Sequence, residues 1–174
     1  YVRDGIIYAA TTTDGLAIST DGGTTWNYRS GANSGLPYAK VNATYVDESG
    51  IIYAGTGNGL SISTDGGATF TKRLYSGGCA AYGPGSCRQV FGVYATGGKI
   101  YAATGDGLAI STDGGATFTD YGLASDGTNQ GGNGLTGDIV FGVHVDPAGI
   151  VYAAIGPMYG FGWGGVNIST RSLP

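Results

Sequence analysis

Charged side chains are scarce here. Eight Lys and Arg and twelve Asp and Glu make up only 11% of 174 residues, under half the usual share of roughly 25%. The eight bases form no run or stripe, which excludes a nucleic-acid partner. Histidine occurs once, at His144, and glutamate once, at Glu48. No apolar stretch is long enough to span a bilayer, so no membrane span is expected. No segment shows helical periodicity. No secretory leader is visible, and Tyr1 is not a natural start, so the chain reads as mature or trimmed. Cysteine is limited to Cys79 and Cys87, which flank a Pro-Gly turn. A disulfide in an oxidising compartment is the favoured reading. Two thiolates with no nearby histidine make at most half a zinc site. No cofactor or metal is expected.

Glycine, in contrast, is abundant, at 36 residues. It sits in turns between short apolar runs, which is an all-β signature. One sentence recurs: Gly15 to Trp26 returns as Gly59 to Phe70 and again as Gly107 to Phe118. A second run precedes it: Ile6 to Thr11 recurs as Ile51 to Thr56, Lys99 to Thr104 and Ile150 to Ala154. Before three of these lies a third run, at Val41 to Val46, Val90 to Ala95 and Val140 to Val145. Repetition at this spacing sets the architecture before any single residue does. Each unit reads as four short strands in an antiparallel meander, with units of approximately 1–36, 37–84, 85–135 and 136–174. Runs apolar on both sides, such as Ile-Ile-Tyr-Ala, are buried on both faces. A meander stacked on both faces is a propeller blade. The expected fold is all-β: one small β-propeller of about four blades, each a four-stranded antiparallel meander. The first and last blades are incomplete. Unit one keeps only Tyr1-Val2 of its innermost strand, and unit four breaks off at Ser169-Thr170-Arg171 before its outermost.

The pattern Ser-x-Asp-x-Gly-x-Thr-Trp/Phe, at Ser19–Trp26, Ser63–Phe70 and Ser111–Phe118, resembles the Asp-box, or BNR repeat, of sialidase-like, xyloglucanase-like and sortilin-like propellers. The resemblance implies a turn between the third and fourth strands, on the face opposite an active site. There Asp accepts hydrogen bonds from turn backbone and the aromatic packs into the blade. It assigns a structural role to Ser19, Asp21, Gly23 and Trp26, to Ser63, Asp65, Gly67 and Phe70, and to Ser111, Asp113, Gly115 and Phe118. An Asp followed by Gly-Gly suits a tight turn on physical grounds as well. One carboxylate per turn is too few for a calcium ion, which takes six to eight oxygens.

The same resemblance asks a sialidase for three arginines on a carboxylate, a Tyr–Glu pair and an acid Asp. This chain has five arginines, and Glu48 falls on the wrong face. A two-carboxylate glycosidase needs an acid and a base roughly 5–10 Å apart. Asp14 and Asp106 belong to repeated turns where a turn role suffices. Asp126 and Asp138 share one loop, and nothing marks them. His144 is expected as a packed core histidine. A non-catalytic protein is therefore the favoured reading.

All long insertions fall on one face: Arg29–Lys40, Arg73–Arg88, Gly122–Asp138 and Gly156–Gly165. Binding usually lives on such loops. Tyr38, Tyr75, Tyr82, Tyr159, Phe161 and Trp163 stand there among Asn, Ser and Gly, as candidate contacts for a glycan or a partner protein. The run Gly160 to Gly164 reads equally as a hydrophobic plug. Asn42-Ala43-Thr44 and Asn167-Ile168-Ser169 are candidate N-glycosylation sequons. Unfinished blades leave open strand edges, which are templates for pairing. The expected function is a secreted or cell-surface structural module that associates with copies of itself by strand addition. The alternative is a carbohydrate-binding propeller using the long-loop face, and a glycosidase is less favoured.

Overall fold

A computed structural model describes residues 1–73, 89–122 and 139–156, and the backbone of 165–168. The β-branched and aromatic runs form strands, and the Gly-bearing segments between them turn. The first sheet holds β1 (Val2–Arg3), β2 (Ile6–Ala10), β3 (Leu16–Ser19) and β4 (Asn27–Arg29). The second holds β5 (Val41–Val46), β6 (Ile52–Thr56), β7 (Gly59–Ser63) and β8 (Thr71–Arg73). The third holds β9 (Val90–Thr96), β10 (Lys99–Thr104), β11 (Gly107–Ser111) and β12 (Thr119–Tyr121). The fourth, among the described residues, holds β13 (Ile139–Val145), β14 (Val151–Gly156) and β15 (Gly165–Ile168). Every neighbouring pair within a sheet is antiparallel and consecutive in the chain.

The innermost strand of the first sheet is cut short, as the sequence reading has it, with Val2 paired to Ile7 and Arg3 to Ile6. One feature departs from that reading: one turn of helix, α1 (Gly31–Ser34), forms inside the first long connection. Its ends are tied by short polar side chains. The Ser30 N–H donates to Asn33 Oδ1 at 2.9 Å, and Ser34 Oγ donates to the Ser30 carbonyl at 2.9 Å. Gly35 closes it at φ 69°, a conformation glycine adopts without strain. The turn delivers Leu36 into the core, fully buried.

The hydrophobic cores lie between sheets. Tyr8, Leu16 and Ile18 of the first sheet meet Val41, Val46 and Ile52 of the second. Tyr53, Leu60 and Ile62 of the second sheet meet Val90, Ala95 and Ile100 of the third. Tyr101, Leu108 and Ile110 of the third meet Val140, Val145 and Val151 of the fourth. Strand alternation explains this, since successive residues point to opposite faces. In β6, Ile52 and Ala54 face backward and Tyr53 faces forward. The inner strands β5, β9 and β13 each also carry one unpaired residue, at Asn42, Phe91 and Phe141. These β-bulges re-aim one side chain apiece.

Candidate functional site

The repeated hairpin turn is built alike three times. Ser19, Ser63 and Ser111 each donate a hydroxyl hydrogen to the Asp Oδ1 two residues on, at 2.8 Å in each case. The same hydroxyl accepts the N–H of Gly23, Gly67 or Gly115 at 2.8–2.9 Å. Asp21, Asp65 and Asp113 also accept a backbone N–H and a hydroxyl from Thr25, Thr69 and Thr117. The hydroxyl contacts are the shortest of the set, at 2.6 Å. No role attaches to these threonines from spacing alone. The signal is their return in every copy.

Donors aimed at a carboxylate favour its charged form. The threonine hydroxyl and N–H, then the serine hydroxyl, hold Asp21 and Asp65 down at about 2, and Asp113 lower still. A depressed carboxylate contributes stability above its unfolded pKa and loses it as pH falls through the folded one. The urea midpoint of the chain is therefore expected to hold from neutral pH to about 4 and to fall steeply between about 4 and 2. A midpoint that declines evenly from pH 7 contradicts this assignment.

The other acidic turns serve structure as well. Asp47 Oδ1 accepts the N–H groups of Ser49 and Ile51, and Asp47 Oδ2 accepts the Tyr53 hydroxyl at 2.8 Å. Asp146 repeats this with Ala148, Ile150 and Tyr152. Burial, helped by the Asp47 carboxylate, pushes the Tyr53 phenol far above its ordinary value. Thr11, Thr56 and Thr104 cap the turn between the second and third strands, each donating to the carbonyl of Gly15, Gly59 or Gly107 at 2.8 Å. Among the described residues, no group of three His, Cys, Asp or Glu side chains gathers.

A row of aromatic rings crosses the inner strands, one from each sheet. Ring centres of Tyr1 and Tyr45 lie 5.2 Å apart, Tyr45 and Tyr94 5.1 Å, and Tyr94 and His144 5.0 Å. His144 is not a core residue: it is exposed and meets Tyr94 edge-on. It ends the row because no further sheet among the described residues covers it. Burial and the neighbouring Tyr94 push Tyr45 up to about 12.

On the long-loop face, Phe91 and Phe141 pair at 5.4 Å, and Phe141 is 49% exposed. Both come from the repeated Val-Phe-Gly-Val at the start of β9 and β13. The bulge hides them from a period-two reading, although the repetition itself was visible. Tyr38 is 44% exposed, its ring lying over Gly57. Asn42 at the matching bulge donates Nδ2 to the Val90 carbonyl at 3.1 Å. The nitrogen that a glycan would take is thus engaged across a sheet seam. Asn167 lies on β15, with its side chain outside the described residues. Cys79, Cys87, Tyr75, Tyr82, Tyr159, Phe161 and Trp163 also lie outside them, as do Asp126 and Asp138.

No protein-family model matches the chain, and no curated protein matches it. Solved structures do share its fold. A GH74 enzyme from Niastella koreensis matches over 94% of this chain at 24% identity and a TM-score of 0.63. A GH74 xyloglucanase from Xanthomonas campestris matches over 97% at 15% identity and 0.64. An extracellular domain from B. thetaiotaomicron matches over 95% at 19% identity and 0.64. The chain spans 19–27% of the length of these proteins.

The fold is that of a β-propeller. Four meanders stacked face to face in chain order are its blades. In this propeller the seams between blades are specific. A Cβ added at Gly67 would lie 2.8 Å from Ile18 Cδ1 of the preceding blade, and one at Gly115 2.9 Å from Ile62 Cδ1. Gly67 and Gly115 are thus seats for the previous blade's isoleucine. Gly23 has no such visitor among the described residues, its neighbours there being Ile7 and Trp26 of its own blade. Val2 is 64% exposed, whereas Val46 at the same place in the next blade is 1% exposed. Trp26 is 36% exposed against 7% for Phe70. At the other end Ala154 is exposed where Ala103 is buried.

Proposed function

We propose that this chain is a non-catalytic propeller of the Asp-box kind, secreted or displayed at a cell surface, that works as a structural module by associating with copies of itself. The observation that carries this reading is the contrast between Val2 and Val46, the same residue at the same place in two blades, uncovered in one and sealed in the other. An apolar face of that kind on a weakly charged chain marks an interaction surface. The acids support a non-catalytic role: Asp21, Asp47, Asp65, Asp113 and Asp146 are each held by two or more donors in their own turns. The test is electron microscopy of the purified chain together with light scattering across a concentration series. Multi-copy particles that grow with concentration are expected, and monodisperse single copies at every concentration overturn the reading.

A second reading has its own observation. Exposed Tyr38 and the Phe91–Phe141 pair present ring faces on the long-loop side, and such faces stack well on sugar rings. Titration with xyloglucan oligosaccharides tests it. Binding that Phe141→Ala abolishes supports a glycan platform, and heat signals equal to buffer remove it.

A further inference from the structure

We propose that copies associate sheet on sheet, the uncovered face of the fourth sheet of one copy stacking on the uncovered face of the first sheet of the next. This rests on the reading of the chain as a self-associating module, and it replaces edge-strand addition as the means. The chain itself shows what the joint looks like, because it contains the same seam three times. The forward half of a seam is a tyrosine on the second strand with a leucine and an isoleucine on the third, as in Tyr8, Leu16 and Ile18. The backward half is a valine on the innermost strand with an isoleucine and an alanine on the second, as in Val46, Ile52 and Ala54.

The first and fourth sheets carry one half each. The first sheet offers the backward half: Val2, Ile7 and Ala9 occupy the places of Val46, Ile52 and Ala54. Val2 is exposed and Ile7 and Ala9 are half-buried, whereas their three counterparts are sealed. The fourth sheet offers the forward half. Tyr152 is half-buried where Tyr8, Tyr53 and Tyr101 are sealed, and Ala154 is exposed. In register, Ile168 stands opposite Tyr152 and Val166 opposite Ala154. Those are the places that Ile62 and Leu60 hold opposite Tyr53 and Gly55.

Two details fit the joint to a second copy of this chain. Gly23 is a turn glycine of the same build as Gly67 and Gly115, yet among the described residues it lacks the isoleucine those two receive. Ile168 stands at the register position from which Ile18 and Ile62 supply theirs. The aromatic row runs out at exposed His144 and begins at Tyr1, 43% exposed. The exposed ring on one copy's fourth sheet thus has its counterpart beside the next copy's first sheet. Two unlike faces meeting in this way make a heterologous contact, which closes into a ring or continues as a filament.

Two single variants test the joint. Val2→Glu blocks only the first-sheet face and Ala154→Glu only the fourth-sheet face. Both side chains are exposed, so at a dilution where every chain is a single copy the urea midpoints are expected to stay at the wild-type value. By light scattering, wild type shows the mass of two or more chains, and each variant alone shows the mass of one. An equimolar mixture of the variants shows the mass of two and no more, since one intact pair of faces remains. Formation of that pair shifts Trp26 emission to the blue. If both variants assemble like wild type, or the mixture stays at the mass of one chain, the sheet-on-sheet joint is wrong while self-association stands. Wild type at the mass of one chain throughout overturns both.

Discussion

Gly15→Ala is expected to cost about 4 kcal/mol or more of stability, while Gly22→Ala costs about 1–2 kcal/mol. Both glycines have positive φ, 87° and 73° respectively. Backbone conformation alone therefore does not separate them. Space does. A Cβ at Gly15 would overlap the Arg29 carbonyl oxygen, which belongs to the outer strand of the same sheet, and would press on Leu36. A Cβ at Gly22 meets nothing within 4 Å. To admit a methyl group at Gly15, β4 must move off β3 and Leu36 must leave its place in the core. The Gly15 N–H also donates to the Ala39 carbonyl at 2.9 Å, and its carbonyl accepts from Thr11. The turn cannot slide away without breaking these bonds. Urea denaturation of the two variants against wild type checks the difference. Equal losses would show that φ, and not the close approach of two strands, sets the need for glycine.

Leu60→Ala is expected to cost about 2–5 kcal/mol, the range for emptying a packed leucine site. Leu60 is buried in the seam between the second and third sheets, with Val90, Ile100 and Ala102 around it. Backbone pairing holds that pocket rigid: Leu60 pairs with both Gly55 and Arg73, so the strand cannot collapse into the void. Val2→Ala removes apolar atoms from an equally conspicuous strand but is expected to change stability by less than about 0.5 kcal/mol. Chemical denaturation of both, at a concentration where the chain is a single copy, tells a sealed seam from an open one. A Val2→Ala cost close to that of Leu60→Ala would mean that the first sheet is covered in solution.

The parts of the molecule legible in the sequence are those where one residue's chemistry fixes a turn locally. Asp-Gly-Gly after a serine specifies a hairpin because the carboxylate and the glycine φ act within a few residues. The strands were legible for the same reason, as their apolar runs sit between such turns. What stayed hidden depends on contacts far apart in the chain. Leu36 lies in a Ser-, Gly- and Asn-rich connection that has no periodicity, and only the seam behind it explains its burial. Phe91 and Phe141 lose their period-two pattern at a bulge. His144 follows the strand alternation of Tyr45 and Tyr94 and was expected inside, yet it is exposed because burial there needs one more sheet. The seating of Ile18 on Gly67 and Ile62 on Gly115 uses two familiar residues of two different repeats, and neither repeat alone announces it.

Sharing every core between two sheets also sets the order in which the chain gains its structure. A single meander has no interior of its own, so a described sheet gains a core only once a neighbour has formed beside it, and folding advances by docking sheet on sheet, as expected of a linear array with nearest-neighbour coupling. Removing an end unit takes away one seam, whereas interrupting the middle takes away two. Among the described sheets, resistance to unfolding is therefore expected to be greater in the second and third, which share two seams each, than in the first and fourth, which share one.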